Sequence, residues 1–226
     1  MGRTGTSYGT CRDHRETGLA RDTQRKKILA NLKGNAMRVI LASKSPRRRE
    51  LLSKIVEEFE IITRETDENL PSEIHPSQGV EILAIRKGEA VAQEVGAECM
   101  VISSDTLVEI DGEPLGKPRD EDDAHRMLTR LSGRCHNVHT GVAVHYGGRV
   151  FSGTHTSRVY FKAMNDSQIR EYIATGEPMD KAGSYGIQGI GGQFVEKFDG
   201  EFDSIMGLSL SLTGSLIAEA TEGHND

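Results

Sequence analysis

The sequence predicts an α/β fold with a central mixed β-sheet flanked by helices. From Arg38 onward, strand-like and helix-like segments alternate along the chain, which is typical of α/β proteins. Two longer strand-like runs, 136–146 and 149–162, are separated by Gly147-Gly148, and this spacing indicates an antiparallel hairpin. Because the alternation favours parallel strands and the hairpin requires antiparallel ones, we expect a mixed sheet.

The first predicted strand, Val39–Ala42, is a short apolar run, and the chain changes its period within the next five residues. Ser45 is a typical helix N-cap, and Pro46 suits the first helical position, where a missing N–H costs nothing. Leu51 and the apolar residues after it recur at helical spacing. A strand, a tight turn and a helix start are therefore expected in succession.

The remaining elements follow from period and from turn residues. Asp111-Gly112 is typical of a tight hairpin turn, and Asp120 is a typical cap for a helix that Gly133 ends. In chain order we predict further strands at 59–63, 99–104, 107–110, 114–115 and 193–198. We predict further helices at 78–95, 120–131, 165–175 and 209–220.

Composition limits the classes of function. The 226 residues carry 28 Lys and Arg against 34 Asp and Glu, a net charge of −6, which argues against a general nucleic-acid binder. No apolar run approaches the roughly 18 residues of a membrane span, so no membrane association is expected. Cys11, Cys99 and Cys135 form no CxxC pair, which favours a reducing, cytoplasmic location over a disulfide framework or a zinc site.

The first 36 residues differ from the rest. Residues 1–36 hold eight Lys and Arg and three Asp and Glu, so they carry +5 and the remaining chain carries −11. They contain few apolar residues, and we interpret them as a basic, flexible extension before a domain at 37–226. A mitochondrial presequence is the alternative, which the three acidic residues weaken.

Three arginines, Arg47, Arg48 and Arg49, follow Ser45 at the predicted helix start. Free backbone N–H groups and the positive end of the helix dipole attract anions there. Basic side chains are unfavourable at this end of a helix, so three in succession indicate an anionic partner. We interpret the stretch as a phosphate site, with a solvated basic turn as the alternative.

Two further candidates are single charged residues. Asp105 is expected to leave the carboxyl end of strand 99–104, the edge at which open α/β sheets bind ligands. It can take a proton from water or hold a divalent cation, and its alternative role is to cap the next turn. Lys117 is expected on a short rigid turn between Gly116 and Pro118, with an ordinary surface lysine as the alternative.

Residues 181–192 contain five glycines in twelve residues. This density allows a backbone to approach a ligand closely, and Tyr185 and Gln188 could meet a base or a ring. A glycine-rich structural loop is the alternative. No GxGxxG or GxxxxGK[ST] pattern occurs, which excludes the common dinucleotide and P-loop sites.

Four stretches together resemble the Maf family of nucleotide pyrophosphatases: LASKSPRRRELL, SSDTLVEIDGEPLGKP, LSGRCHNVHTGVAV and DKAGSYGIQGIGG. They occur in the family's order and spacing, from about Met37 to Ala220. The resemblance implies hydrolysis of a nucleoside triphosphate to the monophosphate and diphosphate, with a divalent cation (Mg²⁺, Mn²⁺ or Co²⁺). It also implies an elongated fold like that of inosine triphosphatases, and commonly a homodimer.

The resemblance assigns roles to residues that match the family's motifs. Arg48 matches the phosphate-binding arginine of the SPxRR motif, which Ser45 begins, and both are expected at the substrate. Lys87 matches the family's helix lysine, although Gly88 replaces the usual alanine. Lys117 matches the lysine of the GKP motif, which would neutralise phosphate charge.

Two acidic residues are assigned in the same way. Asp105 matches the proton acceptor, and Glu68 matches an acidic loop residue associated with the metal. The resemblance therefore implies a metal site at Glu68 and Asp105.

Base choice is implied by Arg47, Thr106 and Gln188, which resemble the family branch that acts on dTTP and UTP. The branch that acts on 7-methyl-GTP tends to have Trp, Gln and Glu at these positions. A glutamine amide offers both a donor and an acceptor, which suits the edge of thymine, uracil or a modified pyrimidine. The alternative function is a nucleotide-binding regulator of cell division or septum formation that does not need turnover.

Overall fold

The computed structural model describes residues 37–71 and 73–222. The predicted flexible extension at 1–36 lies outside the described residues. The seven strands are β1 Val39–Leu41, β2 Glu60–Ile61, β3 Met100–Ile110, β4 Glu113–Leu115, β5 Cys135–Tyr146, β6 Arg149–Phe161 and β7 Val195–Asp199. The described α-helices are α1 Pro46–Leu52, α2 Pro76–Val95, α3 Glu121–Leu131, α4 Asp166–Ile173, α5 Phe202–Met206 and α6 Leu210–Glu222.

All seven strands form one mixed sheet, as the sequence predicts. Its order is β2-β1-β3-β5-β6-β7, and β4 pairs with β3 beside this path. The pairs β1–β2 and β1–β3 are parallel, whereas the other pairs are antiparallel. Among the described residues, no helix is long and apolar enough to cross a membrane.

The first strand and helix follow the sequence pattern closely. All three residues of β1 are buried, and Ser45 caps α1 by accepting a hydrogen bond from the Arg48 N–H at 3.4 Å. Pro46 is the first residue of α1. The helix ends at Leu52, so the later apolar residues of the pattern reach the core from the turn that follows.

The hairpin between β5 and β6 is also as predicted. Gly147 and Gly148 form its turn with φ of 60° and 71°, values that favour glycine, and twelve residue pairs join the strands. The shorter turn between β3 and β4 has the same character, because Asp111 and Gly112 have φ of 59° and 79°. These turns fix the register of the antiparallel half of the sheet.

The sequence-based end of the third strand is wrong. β3 does not stop before Asp105 but continues to Ile110, so Asp105 lies within the strand. The polar run looks like an ending, yet β5 pairs with β3 continuously from Val101 to Glu109. Ser103 and Ser104 are fully buried, and their hydroxyls donate to backbone carbonyls of α2 and β5. A polar strand segment is tolerated in the core because its side chains are hydrogen-bonded.

Helix α2 packs closely on the centre of the sheet because two glycines remove side chains from the contact. A Cβ at Gly141 of β5 would lie 2.3 Å from the Val80 carbonyl oxygen of α2. A Cβ at Gly88 would lie 2.5 Å from the His145 ring, so glycine at this position leaves room for the histidine. This packing brings Lys87, the neighbour of Gly88, to the sheet.

Other boundaries differ from the sequence analysis by a few residues. Strand β2 is shorter than the predicted 59–63, and α4 is capped by Asn165 and ends at Ile173. Helix α5 was not predicted at all. It is only five residues long, and a short helix between glycines carries little periodic signal.

Candidate active site

An open segment in the edge of β3 defines the candidate site. On one side of this strand, β1 pairs with residues 100–102 and β4 pairs with residues 108–110. Between them, residues 103–107 have no described strand on that side. The carboxyl end of β1 and the start of α1 therefore meet β3 at this opening. Asp105 lies in the middle of this open segment. It is accessible because β3 has no described neighbouring strand on that side, and not because the strand ends, as the sequence analysis predicted.

Lys87 joins two carboxylates at the opening. Its Nζ lies 2.6 Å from Asp105 Oδ1 and 2.7 Å from Glu68 Oε1. The side chains of Lys87 and Asp105 are 19% and 14% exposed, whereas that of Glu68 is 64% exposed. The hydrogen bond from Lys87 holds the pKa of Glu68 below its ordinary value. The Lys87 ammonium therefore bonds to one largely buried carboxylate, that of Asp105, and to one exposed carboxylate, that of Glu68.

Arg48 approaches β3 from the first turn of α1. Its Nε donates to the Gly207 carbonyl oxygen at 2.9 Å, and its Nη2 donates to Thr106 Oγ1 at 3.3 Å. Burial lowers the pKa of the guanidinium, and the charge of Asp105 opposes that effect. With a third hydrogen bond, from Nη1 to Ser43 Oγ at 3.4 Å, three uncharged acceptors orient the planar group without neutralising it, so its charge remains available to an anion.

Gly207 is a functional neighbour that the sequence analysis missed. Its carbonyl oxygen accepts from Arg48, from Ser104 Oγ at 3.0 Å and from Thr106 Oγ1 at 3.4 Å. The residue has φ of 125°, a conformation that favours glycine, and it ends the unpredicted helix α5. A glycine placed between two short apolar runs was the available signal.

The other residues predicted to bind phosphate make fewer contacts with Arg48, Lys87 and the two carboxylates. Lys117 is exposed, and its charge helps to lower the pKa of Glu68, which places it near the acidic pair. Arg47 is half-buried, and its charge contributes to the lowered pKa of Asp180. Ser45 contributes the cap of α1 described above.

The predicted base-facing residues are only partly brought together. Thr106 lies at the centre, where its hydroxyl is 3.2 Å from that of Thr140. Gln188 is exposed and has no hydrogen-bond partner among the described residues. Residues 181–192 form short 3-10 turns, and no direct contact ties Gln188 to Arg48 or Asp105.

The predicted metal site is not a complete ligand set by itself. Among the described residues, no group of three or more His, Cys, Asp and Glu side chains is arranged to hold a metal ion. Glu68 and Asp105 do share one neighbour, the Lys87 ammonium. Mg²⁺ commonly uses one or two protein carboxylates with substrate phosphates, so these two oxygen donors fit a cation that arrives with a nucleotide.

Comparisons with known proteins found a family model, sequence relatives and a structural neighbour. The family model described as Maf-like protein matches residues 38–220. A Vibrio cholerae protein named dTTP/UTP pyrophosphatase is 46% identical over 180 residues, covering 80% of this chain and 96% of that protein. A Bacillus velezensis protein of the same name is 45% identical over 182 residues, with the same coverage. The solved structure of the Staphylococcus aureus Ham1 protein matches with a TM-score of 0.45 and 16% identity, covering 82% of this chain and 94% of that one.

Proposed function

Because the chain belongs to the Maf-like protein family, we propose that it is a pyrophosphatase that hydrolyses dTTP and UTP to the monophosphate and diphosphate. The observation that carries the proposal is the meeting of Arg48, Glu68, Lys87 and Asp105 at the open segment of β3. Relatives of 45–46% identity bear the name of this activity. Modified pyrimidine nucleotides are further candidate substrates, since they present a similar polar edge.

Phosphate binding is assigned to three cations. Arg48 is held by Gly207 and Thr106 with its charge unpaired by any carboxylate bond, and Lys87 stands at the acidic pair. Lys117 is exposed nearby and is free to turn toward a ligand. Charge that spreads over the phosphoryl oxygens during hydrolysis is stabilised by such fixed cations more than by water.

Asp105 is assigned the water that attacks between the α- and β-phosphates. Its Oδ1 bonds to Lys87, whereas its Oδ2 has no hydrogen-bond partner among the described residues. The second oxygen can therefore orient the water and accept its proton. Lys87 fixes the carboxylate through Oδ1, which leaves Oδ2 to bond the water.

A divalent cation is proposed to bind with the substrate, held by Glu68 and Asp105. When bound, the cation would polarise a phosphoryl oxygen. Before it binds, Lys87 balances the two carboxylates, and Glu68 is exposed enough to turn away from Lys87. The pKa of Glu68 is below its ordinary value, so the ligand is ionised at neutral pH.

Base choice is assigned to Arg47, Thr106 and Gln188, with Ser45 shaping the turn that carries Arg47. The unpaired amide of Gln188 can donate to O4 and accept from N3–H of uracil or thymine. The pKa of Asp180 in the 3-10 segment before the loop is lowered mainly by Lys181 and also by the charge of Arg47, which is consistent with this segment lying near α1. The pyrimidine would then lie between α1 and the loop.

The experiment that tests the proposal is a panel of nucleotides with separate detection of diphosphate and orthophosphate. We expect dTTP and UTP to yield diphosphate and the monophosphate in equal amounts, and 7-methyl-GTP to yield far less. Release of orthophosphate would contradict cleavage between the α- and β-phosphates. Binding of dTTP without any product would favour the regulator of cell division or septum formation.

We also propose a homodimer in the cytoplasm, with no nucleic acid polymer and no membrane as a partner. The net charge of −6 argues against nucleic acid as a partner. The free thiols of Cys99 and Cys135 support a reducing compartment. Light scattering of the purified protein tests the dimer, since a monomer would give half the expected mass.

A further inference from the structure

Glu177 lies outside every stretch that the sequence analysis singled out, yet its carboxylate joins distant parts of the chain. Oε1 accepts hydrogen bonds from the Tyr172 hydroxyl at 2.8 Å and from the Gly191 N–H at 3.0 Å. Oε2 accepts one from the Ile190 N–H at 2.9 Å. Hydrogen bonds to an ionised acceptor are roughly twice as strong as neutral ones. The carboxylate therefore ties the end of the loop to α4.

Tyr172 extends this connection to the beginning of the same turn. Its hydroxyl oxygen accepts a hydrogen bond from the Gly186 N–H at 3.2 Å. The Gly189 N–H donates to the Gly186 carbonyl at 3.3 Å, which closes a turn of four residues. Gln188 lies inside that turn. Both of its flanks are thus held by the Glu177–Tyr172 pair.

The loop glycines are fitted to this arrangement. A Cβ at Gly189 would lie 2.5 Å from Glu177 Oε2, and a Cβ at Gly191 would lie 2.5 Å from the Tyr172 hydroxyl. Both distances are shorter than real Cβ contacts. The density of glycine, which the sequence analysis linked to close approach of a ligand, here makes room for two side chains of the protein.

The charge of Glu177 is maintained by the loop itself. Burial would raise the pKa of its carboxyl, but the N–H groups of Gly191 and Ile190 and the Tyr172 hydroxyl outweigh it and lower the pKa. Burial, together with the hydrogen bond to Glu177, raises the pKa of Tyr172. At neutral pH the pair is an ionised acceptor with a neutral donor.

We propose that Glu177 is a positioning residue for base recognition, which holds the turn 186–189 so that Gln188 presents its amide to the pyrimidine. The inference rests on the proposed function, because it takes Gln188 as the residue that reads the base. Gln188 is exposed and no described group bonds to its amide, so the backbone of the turn determines where its side chain starts and the direction in which it extends. That backbone is fixed by Glu177 and Tyr172.

The decisive variant is Glu177→Gln, which keeps the size of the side chain but removes its charge and turns an NH₂ group toward backbone donors. We expect KM for UTP to rise about 10-fold with kcat within about twofold, because the base is remote from the reacting phosphorus. Glu171→Gln is the matched control. It lies on α4 beside Tyr172, is exposed, and accepts only from Ser167 Oγ. It should leave KM unchanged.

A cycle with Gln188→Ala separates positioning from general damage. If Glu177 acts through Gln188, Glu177→Gln should have little further effect on KM in the Gln188→Ala background. A purely structural role would give the same loss in both backgrounds. Equal losses would overturn the inference.

Hydrogen exchange provides a readout that does not depend on activity. The amides of Ile190 and Gly191 should exchange at least about 10-fold faster in Glu177→Gln than in the wild type, because their acceptor is lost. Suppose that the wild type hydrolyses UTP and that Glu177→Gln has the same KM and the same amide protection as the wild type. That outcome overturns this inference and leaves the proposed function intact. A wild type inactive on every nucleotide overturns the proposed function and with it the role in base recognition, while exchange still decides whether Glu177 holds the loop.

Discussion

The two ends of the candidate site are held in opposite ways. The phosphate end consists of Arg48, Glu68, Lys87 and Asp105, and three of these residues stand on a helix or a strand. The loop proposed to face the base, residues 181–192, consists of short 3-10 turns with unusual backbone angles, such as φ of 61° at Ser184. At the phosphate end the backbone fixes the side chains. In the loop, side chains fix the backbone.

This difference separates chemistry from selectivity. In the proposed reaction, the cations and the carboxylate that would meet the phosphates need an unchanging geometry, which the ladder between β3 and β5 and the packing of α2 supply. The loop that carries Gln188 depends on hydrogen bonds to Glu177 and Tyr172. The loop also has a part that belongs to the core, because the buried Tyr185 packs against His136 and Phe161 of the sheet, whereas Gln188 is exposed.

The largest effect is expected at the phosphate end. Asp105→Asn should keep the fold and nucleotide binding while it lowers kcat by at least about 100-fold, because the acceptor of the proton is lost. Steady-state kinetics with dTTP and a binding measurement in parallel test this. Asp111→Asn, at the hairpin end of the same strand, is the control. Near-native turnover of Asp105→Asn would remove Asp105 from the mechanism.

A smaller effect, restricted to base choice, is expected in the loop. Gln188→Glu removes the amide donor and places a carboxylate near the pyrimidine O4, at a cost of roughly 1–3 kcal/mol. We predict a fall of about 10- to 100-fold in kcat/KM for UTP. Activity on 7-methyl-GTP should rise only modestly, since Arg47 and Thr106 still favour a pyrimidine. Unchanged kcat/KM for UTP would mean that Gln188 does not read the base.

Acid should destabilise the fold through the histidine that lies beneath the loop. His136 of β5 lies under the loop, with its Nε2 2.8 Å from the Tyr185 hydroxyl. Burial lowers the pKa of His136 to about 4. Since this is below the unfolded value of about 6.5, its contribution to stability is full above pH 6.5 and is lost as pH falls toward 4. Between pH 7 and pH 5 we expect His136 alone to account for a loss of about 2 kcal/mol in the free energy of unfolding.

Urea unfolding at the two pH values measures that loss, and His136→Phe identifies its source. Burial also lowers the pKa values of His139 and His145, so part of the pH dependence remains in the variant. The difference between pH 7 and pH 5 should nevertheless shrink by about 2 kcal/mol. An identical difference in wild type and variant would exclude His136 as the titrating group.

The same contrast explains what the sequence could predict. Ser45, Pro46 and the apolar run before them specify a strand and a capped helix by local rules, and Arg48 is placed once those elements form. Turns such as Gly147-Gly148 fix antiparallel pairs in the same local manner. Most of the sheet and the position of Arg48 therefore follow from short-range signals, whereas Glu68 and Lys87 were assigned by the family resemblance.

The parts that could not be predicted depend on residues far apart in the chain. The polar run ending in Asp105 continues as a strand only because β5, some forty residues later, supplies its hydrogen bonds. Glu177 carries no local signal, since its partners Ile190 and Gly191 lie in a loop without a period. The role of Gly207 likewise depends on Arg48, which is 159 residues away. Tertiary partners, rather than propensity, decide these positions.

The last and smallest effect is expected from a substitution at Gly207. It tests whether the position of Arg48 depends on a backbone carbonyl outside the helices and strands. At φ of 125° an alanine is strained, although its Cβ would have room, since the nearest atom is Arg48 Nε at 3.4 Å. Relief of the strain would move the carbonyl that orients Arg48.

We expect Gly207→Ala to lower kcat/KM for dTTP about 10-fold, with a loss of about 1 kcal/mol in the free energy of unfolding. Gly148→Ala is the matched control, because Gly148 has φ of 71°, faces open space and lies in the β5–β6 turn. It should lose stability with kcat/KM unchanged. If both variants lose stability and neither loses activity, Arg48 is placed by α1 alone, and the phosphate end is independent of the loop that follows α5.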